Sequence, residues 1–225
     1  MKQLLDGKIL QMLPVPSGVV VAIATDVTED EKLVVEYRMI SAETNEIQRV
    51  SKNVFLLVKF GPNHKMAELQ VKNHLTAKTA ILSNNKTLVI EDDGSSRLLS
   101  DDGIAEWVGS IKFKNEVPSA VAFDGKSVWT AYFKNNSLVR LNAASLREEL
   151  RIGSKEKANN FAGPTDIFVA DRHIYVSSVV SKQIWRINTE TFASDEYLNA
   201  EVPIYGFVHF EHKDILWLSD GIYEI

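Results

Sequence analysis

Residues 118–142, PSAVAFDGKSVWTAYFKNNSLVRLN, align without a gap on residues 164–188, PTDIFVADRHIYVSSVVSKQIWRIN, at a constant offset of 46 residues. Pro118 pairs with Pro164, Phe123 with Val169, Trp129 with Tyr175, Arg140 with Arg186 and Asn142 with Asn188. Each copy reads as an apolar strand, a Gly/Asp/Asn turn, a second apolar strand, a second turn and an alternating third strand. A unit of this length built from short strands cannot bury its apolar faces alone, and the architecture that covers them is a ring of stacked sheets. The central strands, such as Val128-Trp129-Thr130-Ala131-Tyr132, are apolar on both faces because a neighbouring sheet covers each side, whereas the outer strands let an arginine reach water.

The same register suggests further units. VPSGVVV at 15–21 matches VPSAVAF at 117–123 and places Pro16 at a strand entrance, where the missing N–H costs no ladder bond. The tetrapeptide after the second turn recurs as Ile47-Gln48-Arg49-Val50, Leu138-Val139-Arg140-Leu141, Ile184-Trp185-Arg186-Ile187 and Ile222-Tyr223-Glu224-Ile225, and a weaker unit spans 79–99. The last unit stops at a third strand, and LLDGKILQML precedes the first, so residues 7–13 are expected to supply the missing outer strand beside 222–225. The reading is an all-β chain, one β-propeller domain over 1–225 with about five blades of four antiparallel strands, closed by an N-terminal strand beside the C-terminal strand. The segment 54–78 resists this pattern. Ala67, Leu69 and Val71 alternate like a strand, while Met66, Leu69 and Leu75 mark one face of a helix, so it reads either as a short helix or as a degenerate sixth blade.

The run Gly163-Pro164-Thr165-Asp166-Ile167, with Ile174-Tyr175-Val176 and Gln183-Ile184-Trp185-Arg186-Ile187-Asn188 behind it, resembles the NHL and SMP-30/gluconolactonase-like propellers over 117–225, and more loosely over 15–112. The resemblance implies fold ahead of activity. It also implies, for a lactonase-like site, several carboxylates converging on a divalent cation, because hard cations take oxygen ligands. Propeller ligands sit at the mouth of the central channel, on loops entering the first strand and loops joining the second to the third. The first set places Gly18, Ala120, Asp166 and Tyr205 at the mouth, and the second Asp92, Tyr132, Ser178 and Asp220. The channel-mouth candidates for ligand contact are therefore Asp166, Asp220, Asp92, Tyr132, Ser178 and Tyr205. Asp166, Asp220 and Asp92 are the candidates for a divalent cation, against the alternative that they cap backbone N–H groups in turns. A glycosidase reading would need Asp166 and Asp220 to face each other across the channel.

Other features narrow the classes. There are no cysteines, and 30 acidic against 25 basic residues give a formal charge of −5, so no general field attracts nucleic acid or an anionic membrane. Asp6 interrupts the N-terminus where a signal peptide would be apolar, and no apolar stretch approaches roughly 18 residues, which reads as a soluble, cytoplasmic protein unless a leader precedes this numbering. GxSxG, Walker-type and HExxH signatures are absent. His209 and Glu211 in HFEH share a strand face, but the turn after the first strand of the last unit explains Glu211 and His212 as solvated. EDDG at 91–94 and SDDG at 100–103 read as hairpin turns with Gly94 and Gly103 at positive φ. The polar loop 153–160 is a candidate lip at the mouth. Together these point to a binding or interaction propeller for a protein or small molecule. The alternative is a metal-dependent hydrolase or lactonase of the SMP-30-like kind, with a divalent cation as its cofactor.

Overall fold

The computed structural model describes residues 1–28, 30, 32–154 and 162–225. Five four-stranded antiparallel sheets form the blades of a propeller. The first blade holds β2 (Lys8–Val15), β3 (Gly18–Val27), β4 (Leu33–Ser41) and β5 (Ile47–Val50), from the channel outwards. The second holds β6 (Lys78–Ile81), β7 (Thr87–Ile90), β8 (Ser95–Leu99) and β9 (Ala105–Ser110). The two copies of the repeat are the third blade, β10 (Ala120–Phe123), β11 (Ser127–Tyr132), β12 (Ser137–Asn142) and β13 (Glu148–Ile152), and the fourth, β14 (Pro164–Ala170), β15 (His173–Ser178), β16 (Gln183–Asn188) and β17 (Ser194–Asn199). The fifth takes β18 (Gly206–Phe210), β19 (Lys213–Leu218) and β20 (Gly221–Glu224) from the end of the chain and β1 (Lys2–Asp6) from its beginning.

The ring therefore closes as three strands plus one, but with different residues from those expected. Lys2–Asp6 pairs with β20, while residues 8–15 run one strand further on, as the inner strand of the first blade. Two other assignments shift with it. Pro16 lies in the turn between β2 and β3, so Gly18 opens a second strand and not a first. Ile47–Val50 is a fourth strand, whereas Leu138–Leu141, Ile184–Ile187 and Ile222–Glu224 belong to third strands. The cause is common to both errors: a strand buried on two faces carries no alternation that tells first from second, so short apolar matches slip by one strand.

The repeated turn residues have a local explanation. Asn142 accepts from the backbone N–H groups of Ala144 and Ser145, Asn188 from those of Glu190 and Thr191, and Ser41 from those of Glu43 and Thr44. Each side chain closes the same turn between a third and a fourth strand, a role that needs a short polar side chain at that place. Gly94 and Gly103 adopt φ of 79° and 82° in hairpin turns, as expected.

The blades pack through apolar layers. Val128, Tyr132 and Val139 meet Leu88 and Ile90 of the second blade, and Trp129, Ala131 and Leu138 meet Ile174 and Val176 of the fourth. Between the first and second blades the layer is different. Residues 54–78 form neither a sheet nor an ordinary connection: α1 (Lys52–Phe60) and α2 (His64–Gln70) make a helical hairpin. Ser51 caps α1, and Phe55, Leu56 and Phe60 are buried against Val20 and Ala22 on one side and Val89 on the other. The hairpin spans the height of the ring. Gly61, after α1, reaches Ile81 at the end of β6, and the Thr87 hydroxyl donates to the Phe60 carbonyl; after α2, the Lys72 N–H donates to Glu91 beyond β7. Five blades of sheet thus share the circle with one helical sector, and α1 takes a place beside the channel. No helix among the described residues is long and apolar enough to cross a membrane.

Candidate functional site

Consecutive antiparallel strands put the loops entering each first strand and the loops joining second to third strands at one end of the ring. Asp92, Tyr132, Ser178, Tyr205 and Asp220 all lie at or near that end. Gly18 lies at the other, because it begins a second strand, and so leaves the set of mouth residues. A cavity of about 690 Å³ runs along the axis, walled by β2, β6, β10, β14, the start of the fifth blade and α1. Its wall is mainly apolar, with polar groups at intervals.

Of the six candidate ligand contacts, the structure brings Asp92, Asp166 and Tyr205 to the cavity wall. Tyr132 is buried between the second and third blades, edge-on to Phe113 at 5.8 Å, and burial pushes its phenol pKa up. Ser178 is fully buried at the end of β15, and its Oγ has no hydrogen-bond partner among the described residues. Asp220 is exposed in the turn before β20, where its carboxylate accepts from the Tyr223 hydroxyl at 2.9 Å and its carbonyl from the N–H of Gly7. Its backbone carbonyl thus supports the ring closure, and the residue is not part of the cavity wall. Most of the proposed lip at 153–160, namely residues 155–160, lies outside the described residues.

The two carboxylates on the wall differ in kind. Asp92 accepts from the Thr76 hydroxyl and from Lys78 Nζ at 3.0 Å. Burial raises its pKa, but these two partners outweigh burial and hold it below the ordinary carboxylate value. Asp166, on β14, has backbone company only: the Phe207 N–H donates to Oδ2 at 3.4 Å, and the Ile167 N–H donates as well. Burial pushes its pKa up to about 6 against the pull of those donors, and no lysine, arginine or histidine among the described residues pairs with it.

Lysine appears where the sequence reading did not look. Lys59, on the inner face of α1, is 2% exposed and donates to Gln11 Oε1 and the His74 carbonyl, both at 2.5 Å, and to the Leu75 carbonyl at 3.2 Å. All three ammonium protons are therefore used. Burial lowers its pKa well below the lysine value, and nearby Lys78 lowers it further while Asp92 opposes. A single charge inside VFLLVKF was the available signal, since a lysine within an apolar run either snorkels or is paired. Trp217 was missed for another reason. In the strand register it stands where the third and fourth blades carry Ala131 and Ser177, and its cross-strand neighbour Gly206 stands where they carry Ala120 and Asp166. A large side chain thus stands at a position that is small in the third and fourth blades, and its indole borders the cavity.

Outside the cavity, His209 is not solvated as its neighbours are. Its Nδ1 lies 2.6 Å from Asp214, which also accepts from the Tyr197 hydroxyl at 2.7 Å, whereas Glu211 and His212 are exposed as expected. Among the described residues no group of three or more histidine, aspartate or glutamate side chains is placed to hold a metal ion.

No family model and no curated protein matches the sequence. Solved structures do match the fold. A catalytically inactive virginiamycin B lyase from Staphylococcus aureus, solved with quinupristin, aligns over 94% of this chain and 67% of its own at 13% identity and a TM-score of 0.53. A streptogramin B lyase aligns over 97% of this chain and 64% of its own at 16% identity and a TM-score of 0.54. The computationally designed Ika4 protein covers 69% of this chain and 94% of its own, at 10% identity and a TM-score of 0.52. The chain thus spans about two thirds of the length of the lyases. At these identities the likeness is one of fold.

Proposed function

We propose that this protein is a binding propeller that takes a small, largely apolar molecule in its central channel. One observation carries the reading: the first strands of the ring and α1 enclose a cavity of about 690 Å³, of the size and largely apolar character of ligand sites, with a few polar groups in its wall. The helical sector supports it, because α1 adds Val58 and Lys59 to the wall at a place where an inner strand would otherwise stand. That a lyase of similar fold was solved with quinupristin agrees with a propeller accommodating a small molecule. The metal-assisted hydrolase suggested by the SMP-30-like repeats is less well supported. It needs carboxylates on one centre, whereas Asp220 accepts from the Tyr223 hydroxyl outside the cavity and Asp92 is committed to Thr76 and Lys78.

The test uses the neutral apolar fluorophore N-phenyl-1-naphthylamine. It should bind the wild-type protein with one-to-one stoichiometry and enhanced emission, and Thr79→Trp, which fills the cavity from the middle of β6, should abolish binding while leaving the melting temperature near wild type. Absence of binding to the folded wild-type protein, or undiminished binding to Thr79→Trp, would refute the channel reading.

A further inference from the structure

We infer that the channel recognises an organic cation, a ligand with a protonated amine on an apolar body, and that Asp166 holds the charge beside the Trp217 and Tyr205 rings. The inference rests on the channel reading above and adds the chemistry of the ligand. Three independent features of the cavity converge on it.

The first is charge pairing inside the cavity. Its two ammonium groups are both occupied, Lys59 by three oxygen acceptors and Lys78 by Asp92. Of the two carboxylates, Asp92 is paired and Asp166 is not. A carboxylate in this mainly apolar wall with no cationic partner is unfavourable unless a cation reaches it, so the protein's own composition leaves one negative site to be satisfied from outside.

The second feature is shape. Gly206 has no side chain, and the point where a Cβ would stand lies 3.0 Å from Asp166 Oδ2, 3.2 Å from Cε3 of Trp217 and 3.4 Å from Cε of Met12. The carboxylate and the indole therefore converge on one point beside Gly206, an approach that any side chain at 206 would obstruct. The fifth blade pairs Gly206 with Trp217 where the third pairs Ala120 with Ala131 and the fourth Asp166 with Ser177, and this brings its indole beside the aspartate of the fourth blade.

The third is the aromatic wall. Tyr205 and Trp217 lie 5.8 Å apart between ring centroids with planes at 31°, and both border the cavity. The negative face of an aromatic ring attracts a cation and tolerates its alkyl substituents, and indole is the strongest of these platforms. A carboxylate beside such rings favours an amine over a neutral ligand of the same shape, and disfavours an anion.

The experiment compares phenethylammonium with its neutral isostere phenethyl alcohol as displacers of N-phenyl-1-naphthylamine at pH 7.5. The ammonium is expected to displace at a concentration at least about tenfold lower, the gain typical of a hydrogen bond to a charged group. Asp166→Asn, which keeps the shape and the acceptor oxygen, should bring the two displacers to equal potency. Trp217→Leu should lower the preference while leaving the carboxylate in place, which separates loss of the cation site from loss of folding in either variant. Equal displacement by both compounds, or no displacement by the ammonium, overturns the cation inference while fluorophore binding leaves the channel reading intact. A preference that persists unchanged in Asp166→Asn also overturns it. If the fluorophore itself fails to bind, the channel reading has failed and the inference falls with it.

Discussion

Replacing Asp166 by asparagine removes a charge that the folded protein holds at a cost. The carboxyl rises from 3.8 to about 6 on folding, because burial in the channel wall opposes ionisation more than two backbone donors favour it. A group whose pKa is raised by folding stabilises the folded state below its unfolded value, and that contribution disappears as pH climbs through the folded value. Each pH unit of displacement is worth about 1.4 kcal/mol, and water in the channel screens part of the effect, so the ionised carboxylate costs the folded state about 1–3 kcal/mol at neutral pH. Asp166→Asn should therefore be the more stable protein at pH 7.5, by about 2–12 °C in melting temperature for a chain of this size. Towards pH 4 the gap should close, since the wild-type side chain is then neutral as well. The assay is thermal unfolding of both proteins at half-unit steps from pH 4 to pH 8, reading the difference between them, so that titration of every other group cancels. An asparagine variant no more stable than wild type at pH 7.5, or a gap that does not narrow as pH falls, would refute the assignment of Asp166 as a half-buried, unpaired acid.

Three further outcomes follow from the packing. Gly221→Ala should open the ring: a Cβ there would stand 2.1 Å from the Leu5 carbonyl oxygen, so β1 must shift away from β20, and urea unfolding should show a loss of about 2–4 kcal/mol with more rapid proteolysis of the N-terminus. Lys59→Met leaves the Gln11 side chain and the His74 and Leu75 carbonyls without their shared donor and should cost about 1–3 kcal/mol in the same assay; unchanged stability would mean that the ammonium does not tie the helical sector to the first blade. Trp129→Phe removes the indole N–H that donates to Asp124 at 2.7 Å and leaves a small void in a fully buried position, so a loss of about 1–3 kcal/mol is expected by the same measurement.

What could be read from the chain alone follows a physical division. Residues 118–225 carry their blades openly, because Asn142 and Asn188 close identical turns and the strands between them are buried on both faces; both signals are local. The first blade was displaced by a strand because VPSGVVV satisfies a first strand as well as the end of one and the start of the next. Its true register depends on Gly18 meeting Val15 across a turn and Ser41 across the sheet. The helical sector was undecidable from 54–78, where one apolar run fits either period, until Val20, Ala22 and Val89 offered α1 two walls to fill.

The site divides in the same way. The repeat placed Asp166 near the channel, since equivalent positions in a ring of like units face the same axis. It could not pair the charges. Whether Asp92 is satisfied, whether Lys59 is spent and whether Asp220 reaches the cavity depend on residues distant in sequence that meet only when the ring closes. Sequence by itself determined the repeating sheet, because turns and two-faced burial are properties of neighbouring residues. Tertiary structure alone decided which acid stands unpaired beside Trp217, because electrostatic satisfaction is a property of the whole enclosure.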